Sequence, residues 1–290
     1  MTAETDRSEG LALAPLGAAD AERGFALSSA IGWNQNAADW RFMLEYGFGW
    51  GRSDAAGRLV GTAMALPHGR FAWVCMVLVR PEARRRGIAT ELTARVLEAL
   101  VRRGTIAGLD ATPAGREVYR HLGFRDVYRI ERLWAEAVAP APPAGTPARI
   151  APMSAADLGE IAGYDARSFG GARAALLAHL HARLPGRAFV ARIGEWPAGY
   201  VLARDGREAL QVGPLVAEDA DIAVALASRA LAGVAGPAVI DVPERHAGPI
   251  GWLKRSGFAF QRPYIRMLRR RNAPMDEPGY VFALAGPELG

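Results

Sequence analysis

The stretch VCMVLVRPEARRRGIAT, Val74–Thr90, decides how this chain reads. Its first six residues are apolar and mostly β-branched or large, which predicts a buried strand. The strand runs into Arg80-Pro81-Glu82-Ala83, then three arginines and Gly87. After them comes a segment with Leu92, Val96, Leu100 and Val101 on one stripe, which predicts a helix over 87–103. A strand feeding a glycine turn that opens a helix gathers backbone N–H groups at the positive end of the helix dipole, and that is an anion cradle. Gly87 and Ala89 lack bulk, so a diphosphate can come close, and the guanidinium groups of Arg84, Arg85 and Arg86 add attraction. The Gly-Lys-Ser/Thr of a P-loop and the three spaced glycines of a dinucleotide fingerprint are both missing.

Outward from this stretch, 290 residues correspond to about two domains. Half the residues are apolar and 22% are charged, which excludes wholesale disorder. The longest unbroken apolar run, Ala72–Val79, is far short of a membrane span, and the acidic, polar start Met1–Gly10 does not resemble a secretory signal. A cytoplasmic protein with no membrane partner is expected. Cys75 is the only cysteine, so no intrachain disulfide forms, and its place in an apolar strand predicts a buried thiol. The net charge of +5 comes almost wholly from arginine, Lys254 being the only lysine. With no RNP, zinc-finger or basic-zipper pattern, an anionic small molecule accounts for this balance as well as nucleic acid does. Histidines 68, 121, 179, 181 and 246 show no ligand spacing, and no metal site is expected.

The clearest shift in composition is Val138–Pro147, where four prolines stand among small residues and predict a stiff, extended linker. It divides the chain into a first domain, 1–137, a linker, 138–148, and a second domain, 149–290. In the first domain the patterning predicts helices over 20–29 and 37–47, strands over 59–66 and 71–79, the helix after Gly87, a strand over 106–111 and a helix over 113–122 ending at Gly123. Three segments then recur in order. Gly61-Thr-Ala-Met-Ala is echoed by Gly199-Tyr-Val-Leu-Ala, Met76-Val-Leu-Val-Arg-Pro-Glu by Gly213-Pro-Leu-Val-Ala-Glu, and Val118-Tyr-Arg-His-Leu-Gly-Phe by Trp252-Leu-Lys-Arg-Ser-Gly-Phe. The chain reads as two copies of one α/β unit.

Arg84-x-x-Gly87-x-Ala89 after an apolar strand resembles motif A of the GCN5-related N-acetyltransferases, and Tyr119-Arg-His-Leu-Gly-Phe124 is similar to that family's later motif. The resemblance covers residues 10–135, and the second half only by architecture. The layout, with GWNQNAADW near the start and FALAGPELG at the end, resembles holothin-acyltransferase-like bacterial members. The resemblance implies tandem domains of α/β (α+β) class, each a central mixed, twisted sheet flanked by helices. It also implies a co-substrate, acetyl-CoA or another short acyl-CoA. Val77, Leu78 and Val79 would pair with the pantetheine arm, and Arg84, Arg85, Arg86, Gly87, Ile88, Ala89 and Thr90 would bind the diphosphate. Tyr119 would protonate the leaving thiolate. Thr112 falls where the family often has a cofactor-contacting asparagine.

Asp110, at the end of a strand, and Glu82 are the carboxylates near enough in sequence to serve as base, Asp110 being the first choice; an amine that binds neutral needs none. Trp33, Asn34 and Gln35 lie in an interhelical turn and are expected to face the amine acceptor. The aromatic group Trp33, Trp40, Phe42, Tyr46, Phe48 and Trp50 is read on the helical segment flanking the acceptor entrance, most of it as core. In the second copy Glu218-Asp219-Ala220-Asp221 stands where the basic turn should be, and Leu253 where Tyr119 should be. That copy is therefore expected to bind no acyl-CoA and to close the acceptor site with Tyr264, Arg266 and the terminal 280–290. The expected activity is acyl-CoA-dependent transfer to a primary amine of a small molecule or peptide. The alternatives are a non-catalytic acyl-CoA sensor or interaction protein and, last, a nucleic-acid binder.

Overall fold

A computed structural model describes residues 10–290, so most of the Met1–Gly10 segment lies outside the described residues. The chain packs as two compact units, the first ending at Gly108 and the second beginning at Leu109.

The first unit contains β1 (Ala12–Pro15), α1 (Ala21–Ala30), α2 (Ala37–Tyr46), β2 (Phe48–Ser53), β3 (Leu59–His68), β4 (Phe71–Val79), α3 (Ile88–Arg102) and the start of β5 (Ile106–Ala111). Strands β1 to β4 run antiparallel in order, and β5 lies parallel to β4. A parallel neighbour requires a crossover, and α3 supplies it. Leu92, Val96 and Leu100 form its buried stripe as the spacing predicts, but Val101 is 56% exposed and belongs to the solvent face. Phe48 and Trp50 correct the helical reading of that segment: both are on β2. The sequence Phe-Gly-Trp-Gly has a period of two, and Gly49 lies so close to β3 that a Cβ there would come within 2.4 Å of the Ala63 carbonyl oxygen.

The second unit takes the end of β5, then α4 (Pro113–His121), β6 (Phe124–Ala135), β7 (Arg149–Pro152), α5 (Leu158–Phe169), α6 (Ala174–Arg183), β8 (Phe189–Ile193) and β9 (Trp196–Arg204). It continues with β10 (Leu210–Ala217), α7 (Ala220–Leu231), β11 (Ala238–Pro243), α8 (Ala247–Arg255), β12 (Ala259–Arg269) and β13 (Val281–Ala283). From β7 to β12 the elements repeat the order of β1 to β6 one for one, and the echoed segments fall at β3 and β9, β4 and β10, α4 and α8. The strand order is β7-β8-β9-β10-β11-β6-β12, with β13 added on β10. Both units are mixed sheets flanked by helices.

Composition divides the chain at 138–148, whereas packing divides it at Gly108/Leu109. The physical reason is β6, which lies between β11 and β12 and pairs antiparallel with both. The proline-rich segment forms no helix or strand, and it is not a free spacer. Ala139 N donates to Ser256 O (3.1 Å), Ala141 N to Ser256 Oγ (3.0 Å), and Trp252 Nε1 to Ala141 O (3.1 Å), which strap it to the end of α8.

Candidate functional site

In the first unit, β4 carries a bulge. Cys75 faces Met64 and Leu78 faces Thr62, so Met76 and Val77 together oppose Ala63. Met76 takes a left-handed φ of 48°, and its carbonyl accepts a hydrogen bond from Thr62 Oγ1 (2.7 Å). β5 pairs with β4 only along Phe71–Trp73. Among the described residues no strand pairs with that side of β4 from Val74 onward, so Val77, Leu78 and Val79 lie on an open edge. Cys75 is buried, as expected.

Beyond Val79 the chain makes a single tight turn at Pro81–Ala83, and then Arg85 (φ 62°) and Gly87 (φ 80°) take left-handed conformations two residues apart. Such alternation turns successive N–H groups toward one side. Gly87 caps α3, and the first amide to bond back into the helix is Glu91 N to Gly87 O (3.0 Å), so the amides of Ile88, Ala89 and Thr90 precede the ladder. The turn is held from below: Ile88 is buried, and its Cγ2 would sit 2.7 Å from a Cβ at Gly61, a position only glycine allows. Arg52 grips Glu91 with Nε (3.2 Å) and Nη2 (2.8 Å), fixing the first turn of α3. Arg84 and Arg85 are exposed, and Arg84 Nε donates to Val79 O (3.3 Å). Glu82 is exposed as well.

The turn between α1 and α2 also belongs to this unit. Asn36 caps α2, accepting from Ala38 N (3.1 Å) and Asp39 N (3.2 Å). Asn34 and Gln35 are buried, Trp33 half-buried, and Gln35 Oε1 is buried with no hydrogen-bond partner. Trp40 is core, packed on Gly24 with Nε1 donating to Ser28 Oγ (2.9 Å).

In the second unit, Thr112 caps α4, its Oγ1 accepting from Gly115 N (3.2 Å); that hydroxyl serves the helix. Tyr119 is half-buried, edge-on to Phe124 with ring centroids 5.9 Å apart, and its ring lies 3.0 Å from where a Cβ at Gly115 would be. Gly123 closes the helix with a φ of 86°. Asp110 is not the open carboxylate expected of a base. Both oxygens are taken by Arg266, Nε to Oδ1 and Nη2 to Oδ2 at 3.0 Å each, and the pair is fully buried. Burial pushes the Asp110 carboxyl up to about 6, against the pull of Arg266. Arg266 also donates to Asp276 Oδ2 (3.1 Å), which accepts from the Tyr128 hydroxyl too. Tyr264 is likewise not at an entrance: it is buried with Ile130, Val281 and Leu284, and burial raises its phenol to about 12. Alternation along β12 puts Pro263 and Ile265 on the other face, where with Pro113, Arg116, Asp126 and Arg129 they line an open pocket of about 460 Å³.

The second copy differs at each matching point. Only Glu218 and Asp219 separate β10 from α7, with no left-handed turn; Asp219 caps α7 (Ile222 N to Oδ1, 2.8 Å) and Glu218 accepts from Tyr164 Oη (3.0 Å). β10 also bulges, at Gly213-Pro214, and pairs with β11 only over Leu210–Val212. There the gap is filled. β13 pairs with Leu215 and Val216, Ala217 N donates to Tyr280 O (3.0 Å), and Leu284 N donates to Asp241 O on β11 (3.0 Å). A Cβ at Gly213 (φ 138°) would lie 1.9 Å from Leu284 O, so only glycine allows this approach. Leu253 is buried. The sequence reading missed this filling strand and the role of Gly213. A glycine before the bulge was visible, but not what approaches it.

Among the described residues no three His, Cys, Asp or Glu side chains come together as metal ligands, and no helix is long and apolar enough to cross a membrane.

Comparison with known proteins matches residues 23–124 to the acetyltransferase (GNAT) family model and residues 161–283 to an acetyltransferase (GNAT) domain model. The chain is 24% identical to the uncharacterized N-acetyltransferase YitH of Bacillus subtilis, over 91% of this chain and 93% of that one. In fold it is similar to an acetyltransferase-like protein from Pyrococcus horikoshii (TM-score 0.76, 20% identity, 97% of this chain and 96% of that one). It is also similar to a tandem GNAT protein from the clavulanic acid biosynthesis pathway (TM-score 0.60, 16% identity, 89% and 98%).

Proposed function

The chain belongs to the GCN5-related N-acetyltransferase family, with a GNAT match in each half of its sequence, and from that premise we propose that it transfers an acetyl or other short acyl group from coenzyme A to a primary amine of a small molecule or peptide. The observation that carries this reading is the pair of left-handed residues, Arg85 and Gly87, at the mouth of α3, directly after a strand edge left open from Val74. The amides of residues 85–90 would hold the diphosphate, and Arg84, Arg85 and Arg86 add charge attraction. Val77, Leu78 and Val79 would receive the pantetheine arm as an added strand, one of their N–H groups polarising the thioester carbonyl. Thr112, committed to capping α4, contributes through the start of that helix. A lone buried cysteine and an acyl-CoA donor suit a reducing, cytoplasmic setting.

In the step itself the amine nitrogen attacks the thioester carbonyl carbon, forming C–N. The tetrahedral intermediate collapses with cleavage of C–S, the nitrogen loses a proton, and the thiolate takes one from the Tyr119 hydroxyl. Asp110, closed in its pair with Arg266, is assigned no proton transfer; the amine enters neutral and gives its proton to water, and the Tyr119 phenolate takes a proton back from water to close the cycle. Trp33, Asn34 and Gln35 are assigned to the acceptor, because an unpartnered buried Gln35 Oε1 is suited to an amine N–H. The second copy is read as binding no acyl-CoA, since its strand gap is filled and its turn is acidic.

A thiol-release screen with acetyl-CoA across amines, amino acids, polyamines and aminoglycosides tests the activity, alongside a coenzyme A titration. Saturable binding plus turnover on one acceptor class is expected. Binding without turnover on any of them favours a sensor, and no binding ends the reading.

A further inference from the structure

The helix that carries Tyr119 is held at both ends by one strand, and that strand comes from the other half of the sequence. At the entry to α4, Asp110 lies two residues before the Thr112 cap, and both of its oxygens are gripped by Arg266 of β12. At the exit, Arg269 Nε donates to Leu122 O (3.1 Å) and Arg270 N donates to Gly123 O (3.0 Å). Arg266 is itself braced, bonded to Asp276 and lying 5.3 Å from the centre of the Tyr128 ring. β12 and the residue that follows it are thus anchored to both termini of a nine-residue helix that carries the phenol in its last turn.

A buried ion pair by itself adds little net stability, because removing two charges from water costs about as much as their attraction returns. What a forked, two-point bond adds is geometry: it fixes the distance and the rotation of the carboxylate together, and so the point where α4 begins. We propose that Arg266 and, to a smaller extent, Arg269 are positioning residues that hold α4 in the orientation where Tyr119 can protonate the leaving thiolate. This rests on the acid role proposed for Tyr119. It gives the second sequence copy a part in catalysis although it binds no acyl-CoA.

The test compares Arg266→Gln, Arg266→Lys, Arg269→Ala and Tyr119→Phe, with Arg132→Gln as control. Arg132 forms another buried forked pair, to Asp241 at 2.7 and 2.8 Å, that touches neither end of α4. Each full-length variant is measured for folded fraction, coenzyme A affinity, KM, kcat and the pH profile of kcat. Arg266→Gln is expected to lower kcat about tenfold or more with coenzyme A affinity within about twofold, since small misplacements of a reacting group carry large rate penalties. It should also move the alkaline limb that the Tyr119 phenol sets. Arg266→Lys keeps the charge but not the fork and recovers only part of the loss. Arg269→Ala gives a smaller shift in the same direction and carries the test if Arg266→Gln does not fold. Wild-type kcat and pH profile in folded Arg266 and Arg269 variants overturn the proposal, as does an equal profile shift in Arg132→Gln. Unchanged turnover in Tyr119→Phe instead overturns the acid role itself, so the two failures are distinct.

Discussion

Strands β4 and β10 are the same element in two copies, each bulged, each paired with its parallel neighbour for only three residues, and they end differently. From Val74 the edge of β4 is open and leads into a left-handed, arginine-rich turn. The edge of β10 is covered by residues 280–284 and leads straight into a helix capped by Asp219. A sheet edge exposes N–H and C=O groups that must be satisfied. Among the described residues one copy leaves them without a strand partner, and the other satisfies them with its own chain. The second copy therefore differs from the first in two ways, in the charge of its turn and in the strand laid into its gap.

The strongest challenge to this contrast is to exchange the acids. Tyr119→Phe should lower kcat by about 10²–10⁴, the usual worth of a positioned general acid, with coenzyme A affinity unchanged. Leu253→Tyr should create no turnover in that background; thiol release reads both, and activity restored by Leu253→Tyr would break the asymmetry. The glycines come next. Gly213→Ala would drive a Cβ into Leu284 O, and its cost of about 3 kcal/mol should show as a lower urea midpoint. Gly87→Ala has open space around it, so it should lose only the left-handed preference, about 1–2 kcal/mol, while weakening coenzyme A binding.

A calorimetric titration of coenzyme A should give one site per chain. Arg85→Ala should raise Kd by about tenfold, as expected for a charge-assisted phosphate contact. Asp219→Ala should leave Kd alone and cost about 1 kcal/mol of stability through the lost cap. A stoichiometry of two would abolish the distinction between the copies. The smallest expected effect is a pH slope. Asp110 titrates near 6 in the folded chain and near 4 when unfolded, so between those values the folded state holds a proton that the unfolded state has lost. Its contribution to stability is present below about pH 4, falls as pH rises to about 6, and is flat above. Urea midpoints from pH 4 to 7 should show a slope that Asp110→Asn reduces.

The first copy was readable because its signals are local. A run of β-branched residues, a glycine turn and a stripe at helical spacing placed β4 and α3 and the turn between them, and the spacing of Tyr119 before Gly123-Phe124 placed α4. Reading failed where neighbours in space are far apart in sequence. Asp110 at the end of a strand looked available because nothing near it in sequence is its partner, yet Arg266 stands 156 residues away. Tyr264 was expected to help close the acceptor site, but pairing with β6 sets it opposite Ile130 in the core.

By itself, then, the amino-acid order determined the repeat, the secondary structure around the turn, and the contrast between three arginines in one copy and three carboxylates in the other. All of these depend on residues within a few positions of each other, where backbone preference and charge act directly. Only the tertiary structure decided that β6 sits between β11 and β12, that the chain's own segment fills the gap beside β10, and that a second-copy arginine grips the strand leading into α4. Those outcomes depend on which distant groups meet once water is excluded, and buried hydrogen-bonding groups then leave few arrangements in which every partner is found.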